Sequence, residues 1–370
     1  MIPLIMRVTR KYLLAPEHET CASVYHCLSR VVWRTFIFKK EEKEFFRKTM
    51  RQYEAYCGVK VLAFCLMSNH VHILVKVPPK PKRMLSDAAF LEKLALIYSD
   101  EHLADVKRWL AECRAIENKE DRKLAVRELK ERYTRRMCDL SEFMKAIKQK
   151  FTQWYNKRKG KTGTLWEGRF RSVLVEDGYA ARMTAAYIDL NPVRAGMVAD
   201  PKDYRWCSYG EACAGVGLAQ QGLLEVMQKP DGYAINEPLT ETWQEVMGEY
   251  RMMMVEEGAA ADQEEQGVPG ESKAKRRKKR NGFSASEIEE ILKSGGKLSA
   301  AQMLHCKARY FTDGVVLGSR EFVDRFFYRM KEARPEQHTK RMTGARKLRQ
   351  VSDSRMYSLR DLRKDIYRIL

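Results

Sequence analysis

The chain lacks the features of membrane and secreted proteins. None of its apolar runs approaches the roughly 18 consecutive residues of a membrane-spanning helix, and the apolar start, Met1 to Met6, is interrupted at once by Arg7. Such a start lacks the apolar core of a secretory signal. The nine cysteines include no C-x-x-C pair, and an odd, scattered set argues against a disulfide framework and against a cysteine zinc site. We expect a cytoplasmic protein with reduced, mostly buried cysteines.

Negative charge is also in short supply. The 49 Asp and Glu residues face 69 Lys and Arg residues, which gives a net charge of +20 over 370 residues. A chain this basic attracts polyanions through the release of their counterions. Without a membrane segment, the leading partner is nucleic acid. The apolar share of 44% is sufficient for the core of one large domain or two ordinary ones.

The first part of the chain predicts a β-α-β-β order. Residues 22–32, 59–67 and 71–77 are rich in β-branched, aromatic and other apolar residues, which favours strands. Between the first two strands, residues 40–56 carry apolar side chains at helical spacing. Residues 80–138 are charged and helical in pattern without a chemical motif, and we interpret them as a helical insertion.

A further helix, a strand and a last helix would complete this unit. Residues 141–156 have an apolar face and a lysine-bearing face, and Gly160 follows as a C-cap signal. A strand over residues 172–176 and a helix that runs from Asp177 to the Asn191-Pro192 stop come next. We therefore predict one compact α+β catalytic domain over residues 1–215.

Three segments are predicted beyond this domain. Residues 216–255 form a helical extension. Residues 256–282 have a composition that cannot bury a core and end in the basic run Lys273 to Arg280, so they are predicted to be a linker with a basic arm. Residues 283–370 are predicted to be a small, basic, mostly helical domain that binds DNA, with helices that begin after Ser284 and Ser319.

The sharpest local feature is the sequence Asn69-His70-Val71-His72. Because side chains alternate across a strand, His70 and His72 share one face while Val71 fills the other. Neutral imidazole nitrogens suit a divalent cation, and two such ligands leave positions open for phosphate oxygens. An isolated H-x-H pair is more often two polar residues that face solvent. The pair therefore indicates a metal site only in combination with other motifs.

A candidate nucleophile stands late on the predicted basic helix. A phenol can attack a phosphodiester and form a covalent phosphotyrosine, which conserves the energy of the bond for rejoining. Tyr155 is followed by the run Asn156 to Lys159, and Phe151 lies one turn before it. Since the chain has 17 tyrosines, packing is the alternative role of each, and the context has to select Tyr155.

Five motifs in a fixed order resemble those of a known family, the insertion-sequence and REP-associated tyrosine transposases of the HUH superfamily. The resemblance spans about residues 20 to 210, and ordered motifs are much more specific than a histidine pair or a tyrosine alone. The motifs are Tyr25-His-x-x-Ser29-Arg30, Met67-Ser-Asn-His-Val-His-Ile-Leu-Val75, Tyr155-Asn156, Gly163-Thr-Leu-Trp166-Glu-Gly-Arg169-Phe-Arg-Ser172 and Tyr187-Ile-x-Leu-Asn-Pro-Val-Arg-Ala-Gly196.

The resemblance implies a ferredoxin-like antiparallel sheet, with the H-x-H on a central strand and a tyrosine-bearing helix whose phenol faces the metal. By position, His70 and His72 become metal ligands and Tyr155 becomes the nucleophile. The implied reaction cleaves single-stranded DNA near hairpin-forming ends, leaves a 5′-phosphotyrosine and a free 3′-hydroxyl, and transfers the strand. Mg²⁺ or Mn²⁺ fits because the substrate offers hard oxygen ligands. Use of the tyrosine within one subunit and across a homodimer both stay open.

One position departs from the family pattern. Relatives usually carry His, Asn or Gln one helical turn after the tyrosine as a third ligand, whereas this chain has Lys159, which cannot coordinate a metal while protonated. Three alternatives remain: another residue completes the site, Lys159 contacts the phosphate as a point charge, or the enzyme is weakened. We hypothesise the second, in which the lysine replaces part of the metal's charge.

Basic residues around Tyr155 are candidates for contacts with the DNA backbone, and Trp154 and Trp166 are available for base stacking. For Trp166 we favour a core position, because large aromatic side chains dominate packing. The run Asn191 to Gly196 is interpreted as a helix stop and turn without a catalytic role. The candidate DNA-binding residues are Lys157, Arg158, Lys161, Arg169 and Arg171.

Two other classes of function stay open. A non-catalytic DNA-binding protein derived from a transposase would keep the fold and the positive charge but not the chemistry, and Lys159 is the main sign for it. A metal-dependent phosphodiesterase would use the two histidines and release its product without a covalent link. Only the leading interpretation predicts that the protein becomes trapped covalently on DNA.

Overall fold

The computed structural model describes residues 21–228, 241–255, 310–333, 344–347 and 355–359. The linker predicted over residues 256–282 and the helix predicted after Ser284 lie outside these residues.

Seven strands in the described residues form one sheet. They are β1 (Ser23–Arg30), β2 (Lys60–Leu66), β3 (His70–Val77), β4 (Arg171–Val175), β5 (Val316–Gly318), β6 (Arg346–Lys347) and β7 (Tyr357–Leu359). Their order across the sheet is β2-β3-β1-β4-β5-β7-β6. The first four strands pair antiparallel, with β1 between β3 and β4 and with β3 between β1 and β2.

Twelve helices of four residues or more are described. They are α1 (Lys40–Cys57), α2 (Asp87–Ala95), α3 (Asp100–Ala115), α4 (Lys119–Thr134), α5 (Leu140–Lys159), α6 (Tyr179–Asp189), α7 (Asn191–Arg194), α8 (Ser208–Cys213), α9 (Gly217–Gln228), α10 (Trp243–Val255), α11 (Tyr310–Asp313) and α12 (Arg320–Ala333). With α1 after β1 and α5 before β4, the first four strands have the β-α-β-β-α-β order of a ferredoxin-like fold. The predicted fold class is confirmed.

The two faces of the sheet bury two different hydrophobic cores. The first core joins apolar side chains of α1 and α5 to Val71, Ile73 and Val75 of β3. The second core joins side chains of α6, α8, α9 and α10 to Leu74 of the same strand. Because successive side chains of a strand point to opposite faces, a residue packed with Ile73 lies across the sheet from one packed with Leu74.

Helix α5 forms where the amphipathic pattern predicts it. The Asp139 carboxylate accepts a hydrogen bond from the backbone N–H of Glu142 at 3.0 Å and so caps the start of the helix. At the other end Gly160 has a φ of 58°, in the left-handed region that a C-cap glycine adopts at little cost. The apolar face, which includes Phe143 and Phe151, is fully buried in the first core.

Helix α9 approaches the edge of the sheet at a glycine. A Cβ atom on Gly222 would lie 2.7 Å from the carbonyl oxygen of Leu62 and 2.8 Å from that of Val61, so a side chain here would force the helix away from β2. The pairing of β2 with β3 also shifts by one residue between Val61 and Ala63. The irregular edge and the missing side chain together allow α9 to cover the second core.

The predicted helical insertion is confirmed as the helices α2, α3 and α4. Leu110, Val126 and Leu129 form a small core of their own between α3 and α4. The Asp87 carboxylate ties the three helices together, because it lies 2.7 Å from the Lys130 ammonium and 3.0 Å from the Arg114 guanidinium.

The described residues near the C-terminus extend the sheet. β5 pairs parallel with β4, and β7 and β6 continue the sheet in antiparallel fashion. We predicted a mostly helical region here, and the structure differs from this prediction in having the strands β5, β6 and β7. A three-residue strand such as β5 is too short to show alternation, and its partner is more than a hundred residues away. The helix expected after Ser319 is present as α12, with the Ser319 hydroxyl accepting from the Phe322 N–H at 3.2 Å.

The described ranges bear on two expectations from composition, the lack of a membrane segment and the state of the cysteines. None of the helices there is long and apolar enough to cross a membrane. The eight cysteines that the structure describes are all free, and Cys27, Cys57, Cys65 and Cys207 are buried.

Candidate active site

The two histidines lie on a central strand and point to the second core. β3 has a neighbour on each side, and its odd-numbered residues Val71, Ile73 and Val75 fill the first core. His70 and His72 therefore share the opposite face, as the alternation predicts. Their ring centroids are 5.0 Å apart. His72 is buried, whereas His70, at the start of the strand, is half-buried.

A chain of hydrogen bonds fixes the orientation of His72. The Nδ1 atom of His26, on β1, lies 2.6 Å from the carbonyl oxygen of Phe311, which can only accept, so His26 carries its proton on Nδ1. Its Nε2 atom must then accept, and the partner 2.9 Å away is Nδ1 of His72. His72 is thus protonated on Nδ1 and presents the lone pair on Nε2, the atom that would bind a metal.

His70 is oriented in the same manner from the loop before the strand. Its Nδ1 lies 2.7 Å from Oδ1 of Asn69, while the Asn69 amide donates to the carbonyl oxygen of Arg34 at 2.9 Å. The second bond fixes which end of the amide accepts, so His70 donates from Nδ1 and carries its lone pair on Nε2. Both histidines therefore have the protonation pattern of a metal ligand that is supported by an outer partner.

The rings of His26 and His72 are stacked, and burial keeps both of them neutral. The pKa of His26 is lowered to about 4, mainly by desolvation and to a smaller degree by the guanidinium of Arg194, while the bond to the Phe311 carbonyl opposes the shift. Desolvation also lowers the pKa of His72 well below its ordinary value, with His70, His26 and nearby arginines acting in the same direction. Neutral imidazole is the form that can ligate a cation.

A tyrosine lies against these rings, and it is Tyr187 on α6. Its ring centroid is 6.4 Å from that of His72 and 6.4 Å from that of His26, both edge-on. Phe311 stacks on the Tyr187 ring at 4.4 Å, and the guanidinium carbon of Arg194 lies 4.0 Å from the ring centre. Tyr187 is only 2% exposed. The structure therefore brings a phenol, two candidate ligands and a cation together on one face of the sheet.

Asn191 follows Tyr187 by one helical turn. Its amide nitrogen donates to the carbonyl oxygens of Tyr187 at 3.3 Å and of Ile188 at 3.0 Å, which leaves Oδ1 as the acceptor end of the side chain. In the described ranges no three His, Cys, Asp or Glu side chains are grouped so that they could hold a metal. A third protein ligand beside His70 and His72 would have to be of another type, and an amide oxygen is a suitable hard donor.

Two arginines share the face of the histidines. On β1, Arg30 lies directly opposite His70, and Leu28 lies opposite His72. The same Leu28 is opposite Arg171 on β4. Because residues directly opposite one another in an antiparallel pair share a face, Arg30 and Arg171 flank the histidine pair, Arg171 about 10 Å from His72 by strand spacing.

Tyr155 lies on the other side of the sheet. It belongs to the first core with Val71 and Ile73, its ring stacks on Phe151 at 6.1 Å, and it is 6% exposed. The expectation that its phenol faces the histidines is not met, because α5 packs on the face from which His70 and His72 point away. Packing, the alternative role considered for Tyr155, matches its surroundings.

Lys159 is also placed away from the histidines, among the acidic residues of α1. Its ammonium lies 3.3 Å from the buried Glu42 carboxylate, and the preceding residue, Arg158, pairs with Glu41 at 2.6 Å. In the structure Lys159 pairs with a carboxylate of α1 and not with the candidate metal ligands.

The predicted DNA-binding residues are all exposed, at the end of α5, in the following loop and at the start of β4. They are Lys157, Arg158, Lys161, Arg169 and Arg171. Of these, Arg171 lies on the histidine face. Trp166 is a core residue as predicted, since it is 7% exposed and its indole donates to the Thr152 hydroxyl at 3.0 Å. Trp154 stacks on Phe45 at 4.1 Å.

Three residues of the site were not predicted from the sequence: Tyr187, Asn191 and Arg30. A signal for the first two was present, because Tyr187 and Asn191 stand four residues apart in the sequence, the spacing that the family uses for its tyrosine and third ligand. We interpreted that motif as a helix stop, which it also is, since α6 ends at Asp189. Arg30 ends the first of the ordered motifs, but nothing in that motif assigned it a role.

Comparisons with known proteins reach part of this site. Residues 20–87 match a family model described as "Transposase IS200 like"; this segment contains His26, His70 and His72 and ends before both tyrosines. A solved structure of a REP-associated tyrosine transposase bound to a REP hairpin is similar at 12% identity and a TM-score of 0.34, over 59% of this chain and 93% of that chain. Among curated proteins none matches.

Over residues 20–87, which carry the histidine pair, the match agrees with the tyrosine transposase resemblance inferred from the ordered motifs.

Proposed function

We propose that this protein cleaves and rejoins single-stranded DNA through a covalent 5′-phosphotyrosine, with Tyr187 as the nucleophile. The observation that carries the proposal is the common position of His72 and Tyr187, whose ring centroids are 6.4 Å apart on one face of the sheet. Tyr155, selected from the sequence, lies across the sheet from the histidines, and we therefore transfer its proposed role to Tyr187.

The same choice provides a candidate for the third ligand. A tyrosine followed by Asn191 one turn later matches the pattern that Tyr155 and Lys159 failed to provide. His70, His72 and the amide oxygen of Asn191 offer two imidazole nitrogens and one hard oxygen, a donor set that fits Mg²⁺ or Mn²⁺. Such an ion, when bound, would polarise the scissile phosphate.

The chain's own residues perform the rest of the chemistry. The phenol oxygen of Tyr187 forms a bond to phosphorus, and the bond from phosphorus to the 3′-oxygen breaks. The phenol loses its proton and the leaving 3′-oxygen gains one, so that a free 3′-hydroxyl and a 5′-phosphotyrosine result. Arg30 and Arg171 flank the histidines and are suited to bind the phosphates of the strand, while Arg194 lies against the Tyr187 ring and stabilises negative charge there.

Because Tyr187 is only 2% exposed, we propose that DNA reaches it after Phe311 moves. Phe311 stacks on Tyr187 and accepts from His26 through its carbonyl group. The covalent step therefore requires this side chain to move from the Tyr187 ring, whereas the histidine pair is also reached from the half-buried His70.

The test is to mix the purified chain with end-labelled, hairpin-bearing single-stranded DNA and Mn²⁺, denature the mixture, and look for label that migrates with protein. We expect a covalent band, and mass spectrometry of the labelled peptide should place the adduct on Tyr187. An adduct on Tyr155 would overturn the assignment of the nucleophile. Binding without any adduct across a broad pool of hairpins would instead support the non-catalytic, DNA-binding alternative.

Three further predictions from the sequence stay predictions: the domain boundaries, the DNA-binding role of residues 283–370, and the use of the tyrosine within one subunit or across a homodimer. The cleavage assay bears on the last. Mixing Tyr187→Phe with His70→Ala restores activity only if the tyrosine acts on the site of a second subunit.

A further inference from the structure

We propose that Trp33 and Phe36, on the loop between β1 and α1, form a stacking platform for unpaired bases of the strand held at the histidine pair. The proposal rests on the proposed function for the identity of the strand. It assigns a nucleobase-binding site to a loop for which the sequence predicted no role.

The first observation is exposure. Trp33 is 88% exposed and Phe36 is 72% exposed, the two highest values among the large apolar side chains that the structure describes. Trp166, Trp154 and the other aromatic residues around α1 and α5 are packed into the first core or against it. Two large aromatic side chains in water on one short loop indicate a binding surface.

The second observation is the backbone of the loop. Trp33 has a φ of 57° and Arg34 a φ of 53°, and in the described residues the only other non-glycine position with a positive φ is Cys138. Left-handed backbone at a bulky residue is strained, and it persists only where the surroundings hold it. With this backbone, the Trp33 side chain lies in solvent and not in the core.

The loop is held rigidly in this form. The backbone N–H of Val32 donates to the carbonyl oxygen of Leu165 at 3.0 Å, and that of Phe38 donates to Ser68 at 3.0 Å. The Asn69 amide donates to the Arg34 carbonyl at 2.9 Å. A rigid aromatic platform loses little conformational entropy when a base stacks on it.

The third observation is position. Arg30, which ends β1, is paired with His70, and the N–H of Val31 donates to the carbonyl oxygen of Asn69 at 2.9 Å. Asn69 is also the residue that orients His70. The loop therefore begins at the open end of the histidine site, and a strand whose phosphate lies at His70 runs next to it.

The positive charge of this loop favours nucleic acid as the ligand. Arg34 stands between the two aromatic residues, its side chain 75% exposed and 4.0 Å from Glu167, and Lys39 and Lys40 follow, both exposed. Aromatic side chains that alternate with cations are the composition of single-strand binding surfaces, in which bases stack and phosphates meet positive charge. A second copy of this chain, with a net charge of +20, would be repelled from the same patch.

The experiment measures binding without metal and without cleavage. The anisotropy of a labelled, unstructured oligothymidylate is compared with that of an abasic oligomer of equal length, which keeps the phosphates but has no bases. We expect Trp33→Ala and Phe36→Ala each to weaken binding of the oligothymidylate by about 5- to 100-fold and to leave binding of the abasic oligomer unchanged. Trp33→Phe should retain most of the affinity, because a flat ring remains.

Leu124→Ala is the control, since this large apolar residue of α4 is 51% exposed and lies in the helical insertion, away from the predicted DNA-binding segments. Equal affinity of the parent and Trp33→Ala for oligothymidylate, equal loss on both oligomers, or no binding of oligothymidylate by the parent would each overturn the platform. A change of oligomeric state in Trp33→Ala, seen by sedimentation, would overturn it in favour of an interface between chains.

The outcome is separate from that of the proposed function. If no variant or condition yields an adduct but the base-dependent loss is observed, the platform stands and the cleavage chemistry fails. If Tyr187 forms the adduct and Trp33→Ala binds oligothymidylate like the parent, the cleavage chemistry stands and the platform fails.

Discussion

Helices α5 and α6 each bring a buried tyrosine to the same sheet, but from opposite sides. On α5, Tyr155 packs with Val71 and Ile73, and the C-terminal end of the helix forms ion pairs with α1. On α6, Tyr187 lies against two neutral histidines and an arginine. α5 has the more basic sequence, yet its tyrosine is packed among core residues and not beside the histidines. Positive charge along a helix therefore did not indicate which tyrosine meets the histidines.

The largest expected effect separates the two tyrosines. Tyr187→Phe should reduce the covalent adduct by at least about a thousandfold, since no other group replaces a lost nucleophile, whereas Tyr155→Phe should leave the yield near that of the parent. The measurement is the initial rate of adduct formation with the hairpin substrate and Mn²⁺. A parent-like Tyr187→Phe together with an inactive Tyr155→Phe would break the comparison.

The next effect concerns the partner of His72. His26→Ala removes the group that accepts from Nδ1 of His72 at 2.9 Å, so we expect the affinity for Mn²⁺ to fall by about 10- to 100-fold, the usual effect of losing an outer partner of a histidine ligand. Calorimetric titration with Mn²⁺ measures it. His102→Ala is the control, because His102 bonds to Tyr133 in the helical insertion and should change nothing. Equal affinities in both variants would contradict the role of His26.

A smaller effect compares the stability of the two faces. In the second core the Tyr250 hydroxyl donates to the buried Asp189 carboxyl group at 2.7 Å, whose pKa burial raises to about 7. In the first core the Tyr56 hydroxyl donates to the Tyr133 carbonyl at 3.0 Å. Tyr250→Phe should lower the free energy of unfolding by about 1–3 kcal/mol and Tyr56→Phe by about 1 kcal/mol, as urea unfolding would show. The opposite ranking would be inconsistent with the larger demand of a buried carboxyl group.

The smallest effect is expected at Lys159. Its pairing with Glu42 at 3.3 Å involves a side chain that is 39% exposed, so Lys159→Ala should cost less than about 1 kcal/mol and leave adduct formation unchanged. If this variant binds hairpin DNA normally but cleaves it much more slowly, the lysine contacts the phosphate as we hypothesised from the sequence, and the ion pair seen here is secondary.

Much of the fold could be predicted because its elements are long and periodic. The β-α-β-β opening, the helix with its cap at Gly160 and the helical insertion each carry a pattern that a local window reveals. β5 does not, since three residues show no period and their partner strand is distant in sequence. Of the site, His70 and His72 followed from alternation on one strand, whereas Arg171 was placed with them only through the register of β4 on β1.

By itself, the sequence determined that a central strand presents two histidines on one face, since alternation along β3 follows from backbone geometry alone. It also determined that α5 and α6 each bury one face. Only the tertiary structure decided which face of the sheet each helix covers, because periodicity defines an apolar side without naming its partner. That choice depends on the path of the chain and on the fit of whole helices against the sheet. It places Tyr187, rather than Tyr155, beside the histidines.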